Sequence, residues 1–174
     1  MRKFIIFLVV VAVLAAATFY ISCMSSRHIV FYVSLTKNDG SVSSYTVNVP
    51  VDGKTATLTV VYKHSVIRLD VKDIMRVDDR GFHALWSELP DFGAGLPAES
   101  TVEVATISDT ASDYSVVVTG KRDFKSLTYL MIPLNHYRFY VNGKLVLMPE
   151  VVRTGKVHIE WKRGCTLWLK KPRK

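Results

Sequence analysis

The side chains of this chain that could do chemistry are scattered. Its five histidines, His28, His64, His83, His136 and His158, show no short ligand spacing. Asp78, Asp79 and His83 come closest to a metal constellation, but Asp78-Asp79-Arg80-Gly81 reads better as an acidic turn, and Arg80 would repel a cation. His83 beside Trp86 and Ser87 offers an imidazole near a hydroxyl, the beginning of a base–nucleophile pair, yet nothing in the pattern supplies a third group or an oxyanion hole. Glu88, Asp91, Glu99 and Glu103 hold enough carboxylates for glycoside hydrolysis, although among 15 acids some pair near a loop is expected by chance. The His-Glu-x-x-His, Gly-x-Ser-x-Gly and Walker patterns do not occur, and Gly93-Ala94-Gly95 is only a fragment of a dinucleotide fingerprint. Two cysteines exclude a disulfide-dense scaffold and a four-cysteine zinc site. No cofactor or metal is implied. An exported hydrolase with a site around residues 83–103 stands as the second reading.

The strongest pattern lies at the start. Arg2 and Lys3 precede an uncharged run from Phe4 to Ser22, and no acid occurs before Asp39. A basic start, an apolar run and small residues behind it make an export signal, with the basic end kept on the cytoplasmic side. Ala15-Ala16-Ala17 would allow cleavage after Ala17, releasing a soluble body. Retained instead, nineteen uncharged residues at 1.5 Å each span roughly 28 Å, about one hydrocarbon core. Tyr20-Ile21-Ser22-Cys23 also resembles the lipobox of bacterial lipoprotein signals, with Ser22 matching and Tyr20 standing where an aliphatic residue is usual. That resemblance covers only the signal, and it implies a diacylglyceryl group on Cys23. Cys165, just ahead of the apolar stretch Leu167 to Leu169, reads as a small buried hydrophobe. A Cys23–Cys165 bridge is open to the chain if Cys23 keeps its thiol in an oxidising compartment. In every version the body works outside the cytoplasm, and the anchored versions place it in the cell envelope.

From residue 28 onward, period-two alternation dominates. Ile29, Phe31, Val33 and Leu35 face one way; Tyr45, Val47 and Val49 alternate with Ser44, Thr46 and Asn48; Leu58, Val60 and Tyr62 alternate with threonines. Val157, Ile159 and Trp161 against His158, Glu160 and Lys162 form the cleanest run. Asn38-Asp39-Gly40, Asp52-Gly53, Asn142-Gly143 and Thr154-Gly155 supply turn chemistry between runs. About ten short strands at this spacing predict an all-β antiparallel sandwich of immunoglobulin-like size. The exception is Phe82, Leu85, Trp86 and Leu89, spaced like one helical face and ended by Pro90, which predicts one short helix. Residues 90–100 then read as a loop. The predicted organisation is an export signal or anchor at 1–22, a linker at 23–27, a single sandwich at 28–170 and a basic tail at 171–174.

Charge is unevenly spread. Residues 24–120 hold 8 basic and 12 acidic side chains, whereas 121–174 hold 13 and 3, within a chain of net +8. Lysine-rich solvent faces that discourage edge pairing would account for part of this. The functional reading is attraction to an anionic lipid, a cell-wall polymer or an envelope protein, with Lys162, Trp168, Lys170, Lys171, Arg173 and Lys174 as the candidate binding face. Trp161 falls in register with core residues and Trp168 on the opposite face. One candidate stacking ring is too little for a nucleic-acid platform, and export argues against that partner. The expected role is therefore a membrane-anchored binding or assembly module rather than an enzyme.

Overall fold

A computed structural model describes residues 2–64, 68–89, 103–106, 116–119 and 122–164. Helix α1, Arg2–Ser25, contains the apolar run, and Phe4–Cys23 is long and apolar enough to cross a membrane by length and composition. Its side chains from residue 4 to residue 22 are exposed, so this apolar surface is not packed on the described residues of the body. Strand β1, Arg27–Thr36, follows at once. The linker expected at 23–27 is thus taken up by the two elements, and Ser26 alone joins them.

The body is two antiparallel sheets packed as a sandwich. The first has the order β2-β1-β12-β9, with β2 at Val42–Val51, β9 at Ser126–Met131 and β12 at Thr154–Arg163. The second runs β11-β10-β3-β4-β5-β7-β6, with β8 (Asp123–Phe124) paired to β5. Its members are β3 (Ala56–Lys63), β4 (Asp70–Asp78), β5 (Gly81–Leu89), β6 (Glu103–Thr106), β7 (Val116–Thr119), β10 (Arg138–Val141) and β11 (Lys144–Leu147). The alternation seen in the sequence sets the inner faces. Ile29, Phe31, Val33, Val157 and Ile159 from one sheet meet Leu58, Val60, Val77, Phe82 and Phe139 from the other, all buried in one core. Phe31 and Phe139 bridge the layers edge to face at 5.7 Å between ring centres. Trp161 packs against this core, as its register predicted.

Two local readings change. Residues 82–89 are strand, not helix. β5 pairs with β4 on one side and with β7 and β8 on the other, and the register shifts at Ile74/Met75, opposite Trp86 and Ala84. Leu85 is the extra residue of that bulge. A bulge inserts one residue into a period of two, so apolar positions at 82, 85 and 86 mimic a helical stripe. Thr154-Gly155 is not a turn either. It begins β12, opposite Thr36 and Leu35, and a Cβ on Gly155 would press on the Leu35 and Met131 side chains at 2.8 Å. The Asn142-Gly143 turn forms as expected, with both residues at positive φ (49° and 76°). Its Asn142 side chain accepts from the Thr57 amide at 2.9 Å and so ties the β10–β11 hairpin to β3.

Candidate functional site

Strand direction sorts the connections to two ends. Arg27, Val51, Ala56, Asp78, Gly81, Ser126, Val141, Lys144 and Arg163 all lie where α1 leaves the body. The β4–β5 turn carries Asp79 to this helix-proximal end. Its Oδ1 accepts from Arg163 Nε at 2.9 Å, from Arg27 Nε at 3.3 Å and from Trp161 Nε1 at 3.3 Å, while Arg163 Nη2 also contacts Oδ2. Arg27 and Arg163 face each other across β1 and β12, so one carboxylate from the β4–β5 turn of the second sheet clamps the ends of the two central strands of the first. The hydrogen bonds from Arg163 and then Arg27 hold Asp79 far below the usual carboxylate range. Outside this clamp the same end presents exposed Lys54, Arg80, Lys125 and Lys144.

His83 sits beside the clamp. Its Nδ1 lies 2.7 Å from Asp123 Oδ1 and its Nε2 2.9 Å from Asp78 Oδ1. These hydrogen bonds, Asp78 first, raise its pKa, and the bond from His83 lowers that of Asp78. With both ring nitrogens committed to carboxylates, His83 has no lone pair to offer a metal or a substrate proton. Of the predicted trio, Asp78 and His83 meet while Asp79 turns to the arginines. No group of three or more His, Cys, Asp or Glu side chains is arranged for a metal among the described residues.

Among the described residues, Ser87 and His83 do not pair. Ser87 donates to Asp73 at 2.6 Å rather than to His83, and Glu88 pairs with Lys72 at 2.6 Å and accepts from the Trp86 indole at 3.3 Å. Asp91 and Glu99 lie outside the described residues, and Glu103 is the first residue of β6.

Lys162 is on the outer face of the first sheet, where its Nζ donates to Tyr32 Oη at 2.6 Å, pairs with Glu160 at 2.7 Å and sits 5.1 Å from the Tyr32 ring centre. His158 completes that cluster, with its ring 6.1 Å from that of Tyr32 and a bond to Thr128 at 2.9 Å. Trp168, Lys170, Lys171, Arg173 and Lys174 lie outside the described residues, as does Cys165. Cys23, in the last turn of α1, is disulfide-bonded.

The opposite end differs in kind. On the outer face of the first sheet, Ser34, Thr36, Val42, Leu130, Ile132, Thr154 and Lys156 are among the residues that line an open groove of about 490 Å³. Leu134, Met148 and Val152 add exposed apolar surface on nearby connections. Sequence reasoning missed the Asp79 clamp because its partners are 52 and 84 residues away, and only strand pairing brings them together.

Residues 58–147 match a family described as a domain of unknown function (DUF1850). The chain belongs to the DUF1850 family. The DUF1850 match runs from β3 through β11 and so includes Asp73, Asp78, Asp79, His83 and Asp123, while α1, β1, β2 and β12 fall outside it. No curated protein and no solved structure matches the chain.

Proposed function

We propose that this DUF1850 protein is a membrane-anchored module of the cell envelope that binds or assembles rather than catalyses, with its body outside the cytoplasm and its basic end against anionic lipid headgroups. The observation that carries this is the junction. α1 ends at Ser25 and β1 begins at Arg27, so one residue, reaching about 3.5 Å, separates an apolar span from a rigid sheet. A body tied so closely rests at the headgroups. Lys54, Arg80, Lys125 and Lys144 then face the surface, each contributing on the order of 1 kcal/mol on an anionic leaflet. β12 delivers the chain to the same end at Arg163, from which the basic segment with Lys170, Lys171, Arg173 and Lys174 continues. The groove on the outer face of the first sheet lies toward the other end, clear of the headgroups, where a partner could reach it.

Cys23 bears on the form of the anchor. Its sulfur cannot carry both a disulfide and a diacylglyceryl thioether, so the disulfide weighs against lipidation, and the apolar length of Phe4–Cys23 supports its retention as the anchor, with lipidation at Cys23 as the second reading. The intact mass of the protein recovered from a membrane fraction decides. A full-length mass supports the retained helix, and a mass beginning at Cys23 plus acyl chains supports the lipoprotein. Recovery only from a soluble exported fraction, beginning at Thr18, would overturn the anchored reading.

A further inference from the structure

Asp73 is an acid where the alternation calls for an apolar residue. It lies on the inner face of β4, opposite Val60 of β3 and Ser87 of β5 and in step with Val71 and Val77. Its Oδ1 accepts from Ser87 Oγ at 2.6 Å, and no cation pairs with it among the described residues. Burial pushes its pKa up, against the lowering by the Ser87 bond.

Three phenols share its field. Tyr62 stacks on Tyr137 at 5.0 Å, and Tyr129 meets Tyr137 edge-on at 5.9 Å. Burial, and then the charge of Asp73, raises the pKa of Tyr62 and Tyr129. Tyr129 comes from the first sheet and Tyr62 from the second, so the group spans the gap between layers. Asp73, Tyr62 and Tyr129 keep partial solvent contact, so the group can be reached from outside.

A carboxylate withdrawn from water with one hydroxyl as its partner is costly to hold, and an apolar residue at this register would be cheaper. Among the described residues, what the site lacks is a positive charge. Electron-rich rings and a carboxylate together suit a cation, and the hydroxyls of Ser87 and the tyrosines suit one that donates hydrogen bonds. We propose that Asp73, with Tyr62, Tyr129, Tyr137 and Ser87, forms a recognition site for a primary alkylammonium group. A metal ion is a poorer fit, because a hard cation wants several charged or carbonyl oxygens and only one carboxylate is present. The ammonium can come from a small amine or from a lysine side chain of a partner. This names a ligand class beyond the anchored-module reading, and it stands or falls without the anchor.

The test uses the full chain in nanodiscs, with tyrosine rings isotopically labelled. Butylammonium chloride is titrated against sodium chloride of equal ionic strength. Saturable shifts of the Tyr62, Tyr129 and Tyr137 resonances are expected, with intermolecular NOEs from the butyl methylenes to these rings. Asp73→Asn, which keeps the shape and an acceptor for Ser87, should weaken binding at least tenfold. Tetramethylammonium, which cannot donate, should bind more weakly than butylammonium. N-acetyl-lysine methylamide separates the sources: binding equal to or tighter than butylammonium assigns a lysine, and exclusion assigns a small amine. Absence of saturable ring shifts or NOEs in the unaltered chain, or equal binding by a folded Asp73→Asn protein, would overturn the proposal. The NOEs need no variant, so the test survives a substitution that fails to fold.

Discussion

One imidazole between two carboxylates makes His83 sensitive to pH. Its pKa in the folded chain is raised from the ordinary 6.5, so the stability it contributes is complete below 6.5 and is lost as pH rises through the folded value. Asp78 is shifted the other way, from 3.8 downward, so its contribution holds above 3.8 and is lost as pH falls through the lowered value. Together they are strongest between about pH 4 and 6.5 and decline on the alkaline side first. Replacing His83 by Gln should cost about 1 kcal/mol at pH 6, the low end for charged hydrogen bonds because Asp123 is largely exposed. The same substitution should flatten the fall in stability above pH 6.5. Denaturant unfolding at several pH values checks both, and a variant as pH-sensitive as the parent would show that the dependence arises elsewhere.

Strands carry the fold, and two substitutions separate their roles. Phe139 on β10 is fully buried among Phe31, Tyr129 and Tyr137 from both layers. Its change to Ala should cost about 3–5 kcal/mol, read as a lower denaturant midpoint with an unchanged slope. Gly81 opens β5 at φ +130°, and a Cβ there would collide with the backbone carbonyl of Phe124 on β8. Gly81→Ala should therefore cost about 1–3 kcal/mol and loosen β8 first. Faster exchange of the Ala84 amide, which bonds the Arg122 carbonyl at 2.8 Å, would report that release; unchanged exchange would place the strain elsewhere. The elements that were legible beforehand, such as β1, β3 and β12, alternate without interruption, and Asn142-Gly143 turns where its chemistry requires. β5 was not legible, because the extra Leu85 of its bulge converts a strand pattern into a helical one. Only pairing with β4 and β7, which lies outside the segment, decides between them.

At the scale of the whole molecule, charge matters through where the topology delivers it. The sequence places its basic excess after residue 120, yet the helix-proximal end draws cations from both halves, Arg27, Lys54 and Arg80 as well as Lys125, Lys144 and Arg163. Two of them, Arg27 and Arg163, are consumed by Asp79, a pairing that no local pattern announces. The surface contact therefore rests on the remaining cations and on the shortness of the Ser26 junction. A linker of ten Gly and Ser residues inserted after Ser26, combined with Cys23→Ser to remove the disulfide at the end of α1, would leave both the span and the sandwich intact. Its end-to-end distance is roughly 17 Å, about twice the screening length of roughly 8 Å at physiological salt. In nanodiscs with anionic lipid, the native junction should shield Lys54, Lys125 and Lys144 from an amine-reactive label, and salt should remove that shielding. With the linker, labelling should rise to the level seen on zwitterionic lipid. Equal labelling of both forms on both lipids would mean that the body stands clear of the membrane and that its basic end meets something else.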